Sequence, residues 1–306
     1  MSDYVTEYFD RHSAAWVEEA YLDDRLPVKF PVGEERLRLA IEGVAPAVPP
    51  AGALADLGCG GGHLCLHAAR LGWRATGVDV APAMIESAKR LCEGLPVRLL
   101  VGSFDDSGLE DAAFDAVTAM GLIEYLPADD ALFAEAGRLL RTGGRFAVSC
   151  RNRLYNLASL NQYTVRELEA GTAEALLDEL GSRLRSARAD ELSRLADALA
   201  AAAEELKQAA GRDRSGGWPE LLDHPSAFAE ARRQHAPSEL ERTAEETGFG
   251  LVELRALHPH PLPPLLEQLA PRLYNRLALA WQRSLEGSPV GLACCSGFVA
   301  VFEKRD

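Results

Sequence analysis

The sequence predicts an α/β protein built on a doubly wound, seven-stranded, mostly parallel sheet, with helices ahead of it and a helical insertion after strand five. Three observations carry this expectation. Between residues 53 and 150 short apolar runs alternate with amphipathic segments, as strands joined by right-handed crossover helices do. The first run, Ala53-Leu54-Ala55-Asp56-Leu57, opens into Gly58, Gly60, Gly61 and Gly62 before a helical stretch. A last strand-like run, Ser296 to Phe302, follows a helical segment at the other end of the chain.

Bulk properties narrow the function. A chain of 306 residues with 47% hydrophobic composition can bury one large α/β core plus an appendage, or two domains. Its net charge of −14 disfavours a nucleic-acid partner, which needs a positive surface, and points to a small-molecule substrate. The cysteines at 59, 65, 92, 150, 294 and 295 form no CxxC pair and read as small core residues of a reducing compartment. The amino terminus is acidic without an apolar signal region, and no stretch of about 18 apolar residues occurs. These features predict a cytoplasmic protein with no membrane partner.

In order, residues 3–48 carry aromatics (Tyr4, Tyr8, Phe9, Trp16, Tyr21) and then Arg36, Leu37, Leu39 and Ile41 at helical spacing, which predicts two or three helices. They pack on the flank of the sheet, or Tyr8 or Trp16 folds over a ligand; aromatic stripes more often belong to a core. Strand one is 53–57; its helix runs from about 61 to Leu71, closed by Gly72. Strand two is 74–79, its helix starting at Pro82 and ending at Gly94. Strands three, four and five are 97–101, 114–120 and 145–150, with a helix from about 128 to 141 ending at Gly143-Gly144. Residues 1–150 thus hold the leading helices and the first half of the core.

Residues 151–236 break the rhythm with two leucine stripes, Leu176 to Leu184 and Leu192 to Leu206, ahead of a polar stretch at 211–217. This insertion is expected to be a substrate lid, a dimer contact of a homodimer, or a helical decoration. Residues 237–306 return to the sheet: a helix from Pro237 to Gly248, a strand at 251–257, a helix over 264–285 and the final strand.

Glycines at a strand-to-helix turn let backbone approach a ligand, and the helix N-terminus behind them favours an anion. A dinucleotide fingerprint would place a third glycine where His63 stands. The pattern present is Asp-x-Gly-x-Gly-x-Gly, as Asp56, Gly58, Gly60 and Gly62, with Asp79 ending the next strand. In this, residues 53–150 resemble the class I S-adenosylmethionine-dependent methyltransferases, with their Rossmann-like fold, and the final strand agrees.

The resemblance implies S-adenosylmethionine as cofactor and S-adenosylhomocysteine as product. It places Gly58, Cys59, Gly60 and Gly62 at the methionyl end, with Asp56 orienting the turn and the cofactor ammonium. Asp79, with Val80 beside it, meets the ribose hydroxyls, since an ionised carboxylate offers only acceptors to a diol; the alternative for Asp79 is a helix cap. In the family an acidic residue after strand three contacts the adenine. Here Ser103 stands there, so Phe104 stacks or offers its N–H instead, and Met84 packs on the adenosine. Met120 and Gly121 line the methionine moiety.

Methyl transfer is an in-line displacement that needs an aligned nucleophile and often a proton acceptor. In an open parallel sheet the reacting groups lie beyond the carboxyl ends of the strands. Tyr125, His235, His258 and His260 are the catalytic candidates there, a neutral imidazole being able to take a proton near pH 7. Tyr125, Arg151, Asn152, Asn156, Asn161, Tyr163, His235 and His258 are expected to line the acceptor pocket; the asparagines alternatively cap local turns. His258-Pro259-His260 lacks third and fourth ligands for a metal, so none is expected. The expected activity is transfer to a small metabolite, at oxygen ahead of nitrogen or carbon; the alternative is a cofactor-binding protein of this fold without transfer.

Overall fold

The structure, a computed structural model, describes residues 3–17, 29–159, 161–191, 193, 232–262, 267 and 270–305. Outside them lie Tyr21, the second leucine stripe, the polar stretch at 211–217 and His224; the side chain of Trp16 is likewise not described.

Two helices, α1 (Asp3–Val17) and α2 (Val32–Val44), precede strand β1 (Ala53–Leu57). Then α3 (His63–Arg70), β2 (Arg74–Asp79), α4 (Pro82–Leu91), β3 (Val97–Val101), β4 (Phe114–Met120), α5 (Asp130–Leu139) and β5 (Leu140–Arg151) alternate as the apolar runs predict. The seven strands form one sheet in the order β3-β2-β1-β4-β5-β7-β6. The first five are parallel; β7 (Cys295–Lys304) is antiparallel to both β5 and β6 (Phe249–Pro259).

Helices cover both faces, so interior strands bury side chains on each side and read as unbroken apolar runs. Along β7, Phe298, Ala300 and Phe302 enter one core with Phe133, Phe146 and Phe249, whereas Val299 and Val301 enter the other with Leu37, Leu39 and Leu64. Phe133 stands edge-on to Phe146 and Phe302 at 5.2 and 5.5 Å between ring centres, an arrangement that suits the ring quadrupoles.

Three boundaries differ from the sequence expectation. Strand β6 runs Phe249–Pro259 rather than 251–257, because its pairing with β7 continues from Lys304 to Cys295, so His258 lies within the strand and not after it. Strand β5 begins at Leu140, not Arg145, because Leu140 pairs with Phe114 before the register shifts; Gly143, at φ +74°, lies inside this irregular strand rather than ending a helix. The helix expected over 264–285 is described as Pro271–Leu285.

The described part of the insertion is helical: α6 (Asn156–Ser159), α7 (Gln162–Glu169) and α8 (Ala173–Arg185). The chain rejoins the sheet at His235, bridged to Asn152, and continues as α9 (Pro237–Glu246), β6, α10 (Pro271–Leu285), α11 (Pro289–Cys294) and β7. Among the described residues no helix is long and apolar enough to cross a membrane.

Candidate active site

A cavity of about 520 Å³ opens beyond the carboxyl ends of the strands, between the glycine turn and the elements that follow β4, β5 and β6. The turn is shaped by backbone. The N–H groups of Gly58 and Cys59 both donate to the Val78 carbonyl, at 2.8 and 3.0 Å, folding the chain after β1 onto β2. Gly58 and Gly60 have φ of +70° and +50° and line the cavity, so the absence of side chains there leaves backbone facing the space. Gly62 does something else: a Cβ on it would stand 2.7 Å from the Ala88 Cβ, so it serves the contact between α3 and α4.

Asp79 lines the cavity at the end of β2, its two carboxylate oxygens held by the N–H groups of Gly60 and Ala81, both at 2.9 Å. Each oxygen keeps lone pairs beyond these bonds. Burial pushes its pKa up, opposed by the backbone N–H groups of Ala81, Gly60 and Val80. Val80, Met84, Gly102, Phe104, Met120 and Gly121 complete this half of the wall.

Besides Gly62, three residues expected at the cofactor are not in the lining. Asp56 lies 2% exposed beneath the turn and accepts from the Thr118 hydroxyl at 2.8 Å. Cys59 is buried, its Sγ 2.7 Å from the position a Gly77 Cβ would take, which explains the glycine in β2. Ser103 turns to the Asp105 carboxylate.

The other half of the cavity carries Glu124, Tyr125, Ser149, Cys150, Arg151, Arg232, Leu257, His258 and Ser296. Arg151 Nε donates to Glu124 at 2.9 Å, and an Arg232 nitrogen stands 3.7 Å from the other Glu124 oxygen. The Arg232 guanidinium lies 5.8 Å from the centre of the Tyr125 ring, and Phe9 of α1 meets that ring edge-on at 5.4 Å. Burial and neighbouring Glu124 push the Tyr125 hydroxyl far up, so it stays protonated.

The three candidate histidines separate. His258 lines the cavity, with its ring stacked on Phe30 at 4.6 Å. Its backbone is left-handed at φ +61°, costly for a side-chain-bearing residue, and is held by its N–H donating to Gln282 at 3.0 Å. Its Nε2 is buried without a hydrogen-bond partner among the described residues, while Nδ1 faces the Ser296 hydroxyl at 3.3 Å. Burial, then His260, Arg36 and Arg151, push its pKa well down, so the ring is neutral.

His260 sits behind it. Tyr274 uses its single hydroxyl proton on the Leu262 carbonyl, so His260 Nδ1 must be the donor in its 2.8 Å bond to that hydroxyl. Burial holds the His260 pKa down, to about 4. His235, 2% exposed, pairs with Asp129 at 3.1 Å, away from the lining.

The polar residues expected at the acceptor also separate. Only Tyr125, Arg151 and His258 are in the lining. Asn152 donates to the Leu292 and Cys295 carbonyls at 2.6 and 2.8 Å, and Asn156 to Glu167 and Gln234 at 2.8 and 2.6 Å. Asn161 caps α7, and Tyr163 on that helix lies under Arg166.

Sequence reasoning passed over Phe30, Arg36, Glu124 and Arg232. Arg36 comes from α2, and its Nε is buried without a hydrogen-bond partner among the described residues. A guanidinium in that state is costly unless an anion meets it, but in sequence it stands within an ordinary amphipathic helix. No group of three or more metal-ligating side chains occurs among the described residues.

A family model for a methyltransferase domain matches residues 55–148, the stretch that supplies the glycine turn, Asp79 and Gly121. Residues 55–148 therefore carry a methyltransferase domain. This methyltransferase domain is 38% identical over 140 residues to a ubiquinone biosynthesis O-methyltransferase of Xanthomonas axonopodis pv. citri, covering 43% of this chain and 59% of that one. The chain therefore spans little more than half the length of the curated relatives it matches. Among solved structures, the geranyl diphosphate C-methyltransferase of Streptomyces coelicolor A3(2) aligns at a TM-score of 0.55 with 15% identity, covering 99% of this chain and 98% of that one. The [4+2]-cyclase SpnF aligns at 0.56 with 16% identity, covering 98% and 96%. Both likenesses concern the fold, which hosts more than one reaction.

The cavity fits S-adenosylmethionine by its donors and acceptors. Asp79 offers acceptors to a diol, Gly58 and Gly60 offer close backbone, Met84 and Phe104 offer apolar surface, and Arg36 offers an unpaired cation.

Proposed function

We propose that this chain transfers a methyl group from S-adenosylmethionine to a hydroxyl oxygen of a small molecule. The observation that carries the proposal is Asp79, fixed by the Gly60 and Ala81 N–H groups at the mouth of β2 beside the glycine turn. The O-methyltransferase relatives support oxygen as the acceptor atom. When bound, S-adenosylmethionine supplies a methyl carbon made electrophilic by its sulfonium.

The chain's own residues do the rest. Asp79 accepts from the ribose hydroxyls. Met84 and Phe104 pack on the adenine, Gly58 and Gly60 admit the methionyl chain, and Arg36 pairs with its carboxylate. Val5, Tyr8 and Phe9 of α1 lie over the cavity and exclude water. That helix is tied to the cofactor side by Asp10, which accepts from the Ala83 N–H at 2.9 Å in the first turn of α4. His258 Nε2 takes the proton of the acceptor hydroxyl, because it is the histidine in the lining and is neutral. Tyr125 and Arg151 position the acceptor. Residues 151–236 serve the acceptor side, contributing Arg151 at their start and Arg232 near their end.

Calorimetric titration of S-adenosylhomocysteine tests the cofactor half. The wild-type protein binds it, and Asp79→Asn, which turns one acceptor oxygen into a donor, weakens binding at least about tenfold. Equal affinity of the two proteins would overturn the assignment of Asp79. Mass spectrometry after incubation with S-adenosylmethionine and a small-molecule extract tests the reaction. A product gaining one CH2, with S-adenosylhomocysteine formed in equal amount, supports transfer; a new product without S-adenosylhomocysteine refutes it.

A further inference from the structure

The charges of the cavity are distributed against the charge of the molecule. The chain carries −14 overall, yet three arginines, Arg36, Arg151 and Arg232, are among the described residues that line the cavity, with Glu124 held by Arg151. An acceptor entering here meets guanidinium groups in a partly desolvated space, where charges interact more strongly than in water.

The hydrogen bonding gives these groups a direction. Arg151 bonds Glu124 through Nε, and its two terminal nitrogens have no hydrogen-bond partner among the described residues. Held at Nε, a guanidinium keeps its end-on edge, one N–H from each terminal nitrogen, as a fork that suits two oxygens of one anion. Arg151 lines the same cavity as His258 and Tyr125. Arg232, 3.7 Å from Glu124, adds a second cation on the Tyr125 side.

We infer that Arg151 and Arg232 form an oxyanion subsite, oriented by Glu124, and that the acceptor is a hydroxylated small molecule bearing a carboxylate or phosphate. The inference rests on the acceptor side assigned above. The hydroxyl lies at His258 and the anionic group at the arginine fork, so the cavity reads both ends of the acceptor. Glu124 orients Arg151 and at the same time repels the incoming anion. A glutamine at 124 keeps an oxygen for the Arg151 Nε–H and removes the repulsion.

The test is a titration of the full chain with benzoate, with inorganic phosphate and with benzamide, a neutral shape mimic of benzoate, each with and without S-adenosylhomocysteine. One of the two anions binds, and benzamide binds at least about tenfold more weakly than benzoate or not at all. Preference for benzoate assigns a carboxylate and preference for phosphate assigns a phosphoryl group. Arg151→Met and Arg232→Met each weaken the anion about tenfold, whereas Glu124→Gln tightens it about threefold or more. Binding of neither anion, equal binding of benzamide and benzoate, no change on Arg151→Met, or weaker anion binding in Glu124→Gln would each overturn the subsite. Titration of the protein alone keeps this result separate from the cofactor assignment, which fails only if S-adenosylhomocysteine does not bind.

Discussion

Asp56 and Asp79 stand within one strand–helix–strand unit, and burial acts on each differently. Asp79 is held by two backbone N–H groups, whereas Asp56 has the Thr118 hydroxyl and no cation. Burial raises the Asp56 pKa to about 7, against the pull of Thr118 and with a further push from Asp79. Unfolded, the group titrates near 3.8, so between that pH and about 7 the folded protein binds more protons than the unfolded chain. Stability contributed by this site therefore falls as pH rises through that window, and above it the full cost of a buried charge remains. Asp56→Asn keeps an oxygen for Thr118 and removes the charge. Its melting temperature relative to wild type is expected to be nearly unchanged at about pH 4 and to rise to a plateau near about pH 8. Thermal melts across that range check this, and a difference independent of pH would contradict it. His258 shows what sequence hides at this scale. Its residue type and place near the end of strand six are legible, but its left-handed backbone and the Gln282 bond that holds it join residues from separate elements.

Glycines that look alike in sequence have separate duties once the elements pack. Gly58 and Gly60 face the cavity, Gly62 is pressed against Ala88 of α4, and Gly72 ends α3 with nothing within 4 Å of a Cβ. Both Gly62 and Gly72 have positive φ, +81° and +82°, so alanine strains the backbone at each by about 1 kcal/mol. At Gly62 the clash with α4 adds to that. Gly62→Ala is expected to cost about 2–3 kcal/mol and Gly72→Ala about 1 kcal/mol in denaturant unfolding. Equal losses would remove the packing role of Gly62. The strand ranges from β1 to β4 were legible because buried apolar runs bounded by turns leave few alternatives. The start of β5 was not, since the pairing of Leu140 with Phe114 and the positive φ of Gly143 depend on the neighbouring strand.

Across the whole molecule, buried polar residues divide between chemistry and assembly. Asn152 lies at the end of β5, beside the acceptor side of the cavity, yet its amide is consumed by the Leu292 and Cys295 carbonyls and its oxygen by the Leu154 N–H. It joins β5 to the junction of α11 and β7, next to the bridge with His235. Asn152→Ala leaves these buried groups unpaired and is expected to cost about 2–3 kcal/mol in unfolding while S-adenosylhomocysteine affinity stays unchanged. A loss of cofactor affinity without a loss of stability would return Asn152 to the site. The His235–Asp129 pair ties the end of the insertion to the start of α5, and the Asn156 bonds to Glu167 and Gln234 join the insertion's two ends to each other.

The sequence by itself determined the α/β sheet, the glycine turn and Asp79, and with them the cofactor class. These are local: a ligand approached by backbone demands glycines at set spacing, and an apolar run followed by a carboxylate is read along one stretch of chain. Tertiary structure decided which polar side chains share the other half of the cavity. Glu124, Arg151, Arg232 and His258 come from the segment after β4, β5, the return from the insertion and β6. No spacing along the chain records that these side chains converge, because their neighbourhood is set by the order in which seven strands lie side by side.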